Sequence, residues 1–197
     1  SSEHSVVPYH MDEVLDKKLF PIKYVNYSPC IRRESGTYGK DTKGLYRVHQ
    51  FWKVEQVVLG PACKDWSLEE HKIMLKHSSD LMEALELPYR VVNVCTGDLG
   101  QGQVQKFDIE TWMPSRNAYG ETHSASRFHD FQTRRLNLRY RPKGGGKPQF
   151  CHSLNNTVIA SPRVLIALLE NHQQADGSVR IPQVLWPYMG GQQVIGG

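Results

Sequence analysis

The apolar and polar positions of this chain change period several times, and each change predicts an element. Residues 22–31, IKYVNYSPCI, are rich in β-formers and end at the charged Arg32, Arg33 and Glu34. Residues 45–59, LYRVHQFWKVEQVVL, alternate apolar with polar, the period of an antiparallel strand. Between them lies a polar loop, residues 36–44, with Lys40, Lys43 and three glycines. Little burial opposes its motion, so it is expected to be mobile. The period then lengthens. In residues 67–87, Ile73, Met74, His77, Leu81 and Leu85 recur at helical spacing, and Ser67 with Glu70 reads as a capping box.

Two further strands, YRVVNVC and QKFDIETWM, flank the glycine-bearing TGDLGQG. Residues 117–120 read as a turn before ETHSAS, and Arg127, Arg134, Arg135 and Arg139 cluster before the loop KGGGK. QFCHSLNNT reads as a strand running into a helix over 162–172, with Pro162 at its first position and Arg163 in its first turn. A turn and a short docked segment close the chain. The strands do not alternate with helices as parallel crossovers require. The predicted fold is therefore α+β, an antiparallel sheet flanked by helices.

Composition narrows the class. The 197 residues suffice for one large core, and 39% hydrophobic with 22% charged residues is ordinary globular usage. No apolar run approaches the ~20 residues of a membrane helix, so no membrane partner is expected. SSEHSVVPYH has no basic or apolar region of a signal peptide. A net charge of +4 permits a polyanionic partner without requiring one. Cys30, Cys63, Cys95 and Cys151 show no metal-type spacing, which suits a reducing compartment. The chain opens at Ser1 as though inside a domain, so a fragment of a longer protein is expected.

Three constellations carry chemistry. Arg32, Glu34 and Glu55 stand at two predicted strand ends beside the polar loop. They read either as a surface salt bridge or as a site with a phosphate-gripping and an amine-receiving half, since a guanidinium can meet a phosphate with two hydrogen bonds. Glu121 and Ser124 offer two oxygen donors to a hard cation, or are simply solvated. Asn155, Asn156 and Thr157 close an apolar strand before Arg163. They are a helix cap or a second anion grip at a helix start. His49, His123, His129 and His152 lack paired-ligand spacing and read as structural, and the TGDLGQG glycines do not follow a dinucleotide fingerprint.

Over nearly all its length the chain resembles the catalytic domain of the seryl-tRNA synthetases, a class II aminoacyl-tRNA synthetase family. CIRRESGTYGKDTKGLYRVHQFWKVE resembles the family's motif 2, two antiparallel strands around a loop, and LNNTVIASPRVLIALLENHQ resembles motif 3. The resemblance implies one catalytic core over residues 1–197 that binds ATP, with Mg2+, and L-serine. Arg32 and Arg163 would be the catalytic arginines, on the α- and γ-phosphates. Arg33, Glu34, Arg47, Val48, His49 and Gln50 would complete the nucleotide pocket with the segment Glu121, Thr122, His123 and Ser124. Glu121 and Ser124 would hold the metal. Ser1, Ser2 and Glu3, where the family has Thr-Ala-Glu, would face the serine together with Arg32, Glu55, Asn155 and Thr157.

The implied activity is ATP-dependent serine–tRNA ligation, with tRNA-Ser as partner, a homodimer in the full-length protein, and a cytoplasmic, mitochondrial or plastid location. Motif 1 and the N-terminal tRNA-binding coiled coil are expected to lie outside this chain. Arg127, Phe128 and His129 depart from the family's Ser-Asn-Cys-Thr-Asp-Phe-Gln. Two other functions stay open at this point: a paralogue loading a non-tRNA acceptor such as a carrier protein, and a non-catalytic homologue.

Overall fold

The computed structural model describes residues 2–34 and 44–196. Ser1 and the expected mobility at Lys40 and Lys43 lie outside the described residues. In chain order the elements are β1 (Val14–Asp16), β2 (Ile22–Ile31), β3 (Gln50–Gly60), α1 (Lys64–Ala84), β4 (Tyr89–Asn93), β5 (Gln105–Met113), β6 (Ala118–His129), α2 (Phe131–Arg135), β7 (Arg139–Arg141), β8 (Gln149–Phe150), β9 (His152–Ala160), α3 (Ser161–His172), β10 (Val179–Arg180) and β11 (Val194–Ile195). Six of the strands form one sheet in the order β2-β3-β9-β6-β5-β4 with every neighbouring pair antiparallel. The expected α+β antiparallel fold is the observed one. A small second sheet, β1-β7-β8, contains one parallel pair.

Both long helices cover the same face of the large sheet. Met82 and Leu85 from the end of α1 meet Val164 and Ala167 of α3 over Ile109 of β5, and Met74 meets Val58 and Leu154 beside them. Each such buried side chain contributes about 1.5–3 kcal/mol by leaving water. The opposite face carries no long helix. At one end the small sheet covers it through Leu15, Leu138, Tyr140 and Cys151 packed on Leu59. The middle of that face is where the polar side chains gather.

Several local expectations change. The helix starts at Lys64, not at 67, and ends at Ala84. Ser67 is already inside it, donating to the Lys64 carbonyl at 2.9 Å, and Glu70 receives Lys23 from β2, so there is no capping box. The strand expected from residue 45 starts at Gln50, because Tyr46 leaves the ladder to lie beneath two arginines. QFCHSLNNT breaks at Cys151 into β8 and β9. Helix α3 begins at Ser161, one residue before Pro162.

The larger corrections concern position along strands. Glu55 is mid-strand in β3, paired with Asn26 and Thr157, not at a strand end. Asn155, Asn156 and Thr157 lie in the middle of β9, three residues short of α3, so they cap nothing. Glu121 and Ser124 lie inside β6. These polar groups are buried by the sheet itself.

Candidate functional site

Strand alternation delivers the site. Phe51, Lys53 and Glu55 of β3 are in phase and face away from the helices, as do Asn155 and Thr157 of β9. Asn156, out of phase, turns to α1 and donates to the Met74 carbonyl and to Ser78 Oγ, both at 2.8 Å. Three β-bulges modify the phase: Thr122 and Phe128 are the extra residues of β6, and Val158 of β9. The bulge at Thr122 lets Glu121 and Ser124, three apart, line one cleft, which a regular strand would forbid.

Two clefts open side by side on this face. The outer one is lined by Arg32, Glu34, Arg47, Glu121, Ser124 and Arg163, with Val48, Thr122 and His123 also in its wall. The inner one is lined by Glu3, Glu55, Asn155, Ser126, Phe131 and Gln132, with the loop from Gly100 to Gln103 as a rim. Arg32, Lys53 and Ser124 border both. The sequence alone thus named residues from distant segments that the fold brings together.

The outer cleft is held by partly exposed ion pairs. The backbone of Arg32 extends the β2–β3 ladder, its N–H donating to the His49 carbonyl at 2.9 Å, and its guanidinium stands over the Phe51 ring at 5.2 Å. Arg47 Nη1 donates to Glu34 Oε2 at 2.6 Å. That bond, with the charges of Arg47, Arg32 and Arg163 beyond it, holds the Glu34 carboxyl below its usual range. Glu34 itself has a φ of 50°, a left-handed conformation uncommon for a non-glycine residue. Arg163 Nη1 donates to the Glu121 carbonyl at 2.8 Å and lies 3.4 Å from Glu121 Oε2. Its guanidinium and that of Arg116 stand over the Tyr46 ring at 4.2 and 4.0 Å. A Cβ at Gly120 would come within 3.0 Å of the Tyr46 hydroxyl, so glycine there lets Tyr46 lie close to β6.

The wall between the two clefts is drier, with Lys53 bordering both, Glu55 lining the inner one and Thr157 the outer one. Lys53 and Glu55 are 7% and 2% exposed, and Lys53 Nζ lies 2.6 Å from Glu55 Oε2. Thr157 Oγ1 donates to the same oxygen at 3.2 Å. Burial pushes the Glu55 carboxyl above its usual range, Lys53 pulls it back, and the negative charge of Glu3 adds to the upward push. On the rim, Gln103 Nε2 donates to Ser126 Oγ at 2.8 Å, while a Cβ at Gly102 would sit 2.3 Å from the Phe131 ring. Glycine there allows the loop to close on α2.

Some assigned residues fall outside both clefts. Arg33, His49 and Gln50 are exposed beside them, His49 holding the Arg32 backbone. Ser2 is buried, its carbonyl accepting from Asn26 Nδ2 at 2.9 Å. Arg127 turns away to the helix face and donates to the Lys64 carbonyl and Ser67 Oγ, whereas Phe128, the next residue of that departure from the family pattern, lines the inner cleft. His129 and His152 stack at 4.7 Å. The sequence reading passed over Lys53, Tyr46 and the Phe131 wall. For Lys53 a signal existed: a cation in phase with Phe51 and Glu55 must face the same way.

Glu121 and Ser124 are hard oxygen donors on one wall, Glu121 with a side chain 47% exposed, and so fit a divalent cation with open positions for other ligands. Among the described residues no group of three His, Cys, Asp or Glu could hold a metal without help.

Over 195 residues the chain is 49% identical to a serine–tRNA ligase of Pyrococcus horikoshii, covering 99% of this chain and 42% of that protein. The crystal structure of seryl-tRNA synthetase from Pyrococcus horikoshii complexed with ATP superposes with a TM-score of 0.93 at 50% identity, covering 98% of this chain and 42% of that one. The cytoplasmic serine–tRNA ligase of Naegleria fowleri in complex with AMP gives 0.92 at 42% identity, over 99% and 46%. The chain thus spans less than half the length of these relatives. The model of the tRNA synthetase class II core domain (G, H, P, S and T) matches residues 1–172. With its antiparallel sheet and its two clefts on one face, the chain belongs to the class II tRNA synthetase core family.

Proposed function

We propose that residues 1–197 form the amino-acid-activating core of a serine–tRNA ligase. The observation that carries this reading is the pair of adjoining clefts sharing Arg32, Lys53 and Ser124. One is rich in arginine from remote segments, as a triphosphate needs. The other is lined by the buried polar groups Glu55, Asn155 and Ser126, as a hydroxyl-bearing amino acid needs. The relatives carry the name serine–tRNA ligase, and two related structures hold ATP or AMP.

In this reading ATP occupies the outer cleft, with Arg32 on the α-phosphate, Arg163 on the γ-phosphate, and Glu34 at the adenine end. Serine occupies the inner cleft, its amino group toward Glu3 and its hydroxyl toward Thr157, Asn155 and Glu55. The serine carboxylate attacks the α-phosphorus in line, the bond to the bridging oxygen breaks, and pyrophosphate leaves with the electron pair. A terminal ribose hydroxyl of tRNA-Ser then takes the seryl group and AMP departs. No protein nucleophile is needed. Arg32, shared by both clefts, holds the two reactants together and stabilises charge developing on the phosphate. Mg2+, held by Glu121 and Ser124, would neutralise part of the phosphate charge. The full-length protein is read as a homodimer acting in the cytoplasm.

The test is serine-dependent ATP–pyrophosphate exchange by the intact protein carrying this chain. Arg32→Ala and Arg163→Ala should each lower it about 100-fold or more. Exchange at the parental rate in either variant removes the phosphate assignment. Loading of a carrier protein in preference to tRNA-Ser removes the ligase reading.

A further inference from the structure

A second basic surface lies away from both clefts. Residues 134–147 hold six cations, Arg134, Arg135, Arg139, Arg141, Lys143 and Lys147, and no acidic residue. Strand β7 within this stretch pairs with β1, and the turn after β1 brings Lys17 and Lys18 beside Arg141 and Lys143. Together they line a groove of about 630 Å3 with an apolar floor that includes Leu15 and Phe20. Its one acid, Asp16, is engaged in accepting the Lys18 N–H at 2.9 Å. Among the described residues no ion pair joins Lys17, Lys18, Arg141 or Lys143, whereas Lys72 and Lys76 on α1 each have a carboxylate partner. Gly144 and Gly145, with φ of 95° and 85°, turn the chain at the groove's edge.

Position gives the groove a direction. The small sheet rests on Leu59, which is in phase with Lys53 and Glu55 and so on the same face of the large sheet. Leu59 is four residues from Glu55, about 13 Å along β3. Helix α2 joins the two regions: Phe131 and Gln132 wall the inner cleft, and Arg134 and Arg135 follow at once. The four groove cations without carboxylate partners, Lys17, Lys18, Arg141 and Lys143, suit a regularly spaced polyanion, and Arg134, paired with Asp130, stands between them and the inner cleft. Small carboxylates would not need the length.

We propose that the groove between the turn after β1 and the loop after β7 holds the sugar–phosphate backbone of an RNA whose end reaches the inner cleft. This rests on the ligase reading for the identity of the RNA. Lys17, Lys18 and Lys143 meet phosphates without reading sequence, so they contribute affinity and salt dependence more than choice of RNA.

The experiment measures binding of a tRNA-Ser transcript by the intact protein across a salt series. All three lysines are exposed, so K17E/K18E/K143E should fold as the parent does. Its dissociation constant should rise about tenfold or more at 0.1 M salt, and the slope of log K against log salt should fall by about 2. The change K72E/K76E, two charge reversals on the helix-covered side, should leave both unaltered. Serine-dependent pyrophosphate exchange on the same triple variant separates the two readings. Parental exchange with weakened, less salt-dependent RNA binding supports the groove. Parental exchange with unchanged RNA affinity and slope overturns it and leaves the ligase reading standing. If the parent protein shows no exchange, the ligase reading falls, and the transcript's affinity and slope still decide the groove. Loss of binding to phosphatidylserine vesicles with RNA binding intact would identify a membrane as the partner and also overturn it.

Discussion

The outer and inner clefts share a sheet face, yet their ion pairs obey different physics. Arg47–Glu34 and Arg163–Glu121 join side chains from beyond the end of β2, a turn, a helix start and β6, all partly in water. Such pairs hold about 0–1 kcal/mol and exchange partners readily. They suit a polyanion that must be bound and released. Lys53–Glu55 sits mid-strand and nearly dry. There, removing one partner strands a buried charge, at several kcal/mol. Water-facing arginines give grip, and the buried pair with Thr157 gives selection.

The largest expected effect comes from breaking the buried pair. Lys53→Met should cost about 3 kcal/mol or more in urea unfolding, against less than about 1 kcal/mol for Arg47→Met. K53M/E55L should regain most of the stability without regaining serine-dependent exchange. Equal costs for the two single variants would erase the contrast between the clefts.

Next in size is selectivity. Alanine would leave the buried polar groups of the inner cleft without partners, at roughly 1–3 kcal/mol per group. In Thr157→Ala the serine-to-alanine ratio of kcat/KM in the exchange assay should therefore fall about tenfold, with threonine better accepted in the space that opens. An unchanged ratio would reduce Thr157 to a strand-pairing residue.

The smallest effect is a difference in sign with pH. Glu34 is held low in the fold, so it stabilises above its unfolded value, and that contribution is lost as pH falls through the lowered one. Glu55 is pushed up, so wild-type stability gains as pH falls from that raised value toward about 4.5. Measured from pH 7 to 3.5, the deficit of Glu34→Gln should shrink as pH falls, and that of Glu55→Gln should grow. Trends of the same sign would contradict the burial contrast.

Much of this site was legible before any coordinates. Arg32, Glu34, Glu55, Glu121, Asn155, Thr157 and Arg163 stand out as charged or polar groups in or beside otherwise apolar elements, and all line the two clefts. Their placement at strand ends was misjudged for Glu55, Glu121 and the Asn155–Thr157 run. The reason is that a polar residue mid-strand is costly unless the sheet face it meets is itself a polar site. Local pattern carries no information about that face. Ser67 misled for a related reason: a hydroxyl three residues before a glutamate suits a cap, but Glu70 is taken by Lys23 from a strand 47 residues away.

What the sequence determined by itself is local and periodic: a strand over residues 22–31, an alternating strand within 45–59, a helix within 67–87, the antiparallel class, and the set of charged side chains available for chemistry. Backbone propensity and side-chain period act over a few residues, so they can be read there. Which of those side chains meet was decided only by the tertiary structure. Bulges at Thr122, Phe128 and Val158 shift the phase of β6 and β9 and place Glu121 with Ser124, and Glu55 with Thr157, by a pairing register that no single strand encodes. Burial of Lys53 against Glu55 follows from that register, because a charge is desolvated by neighbours from other strands and not by its own.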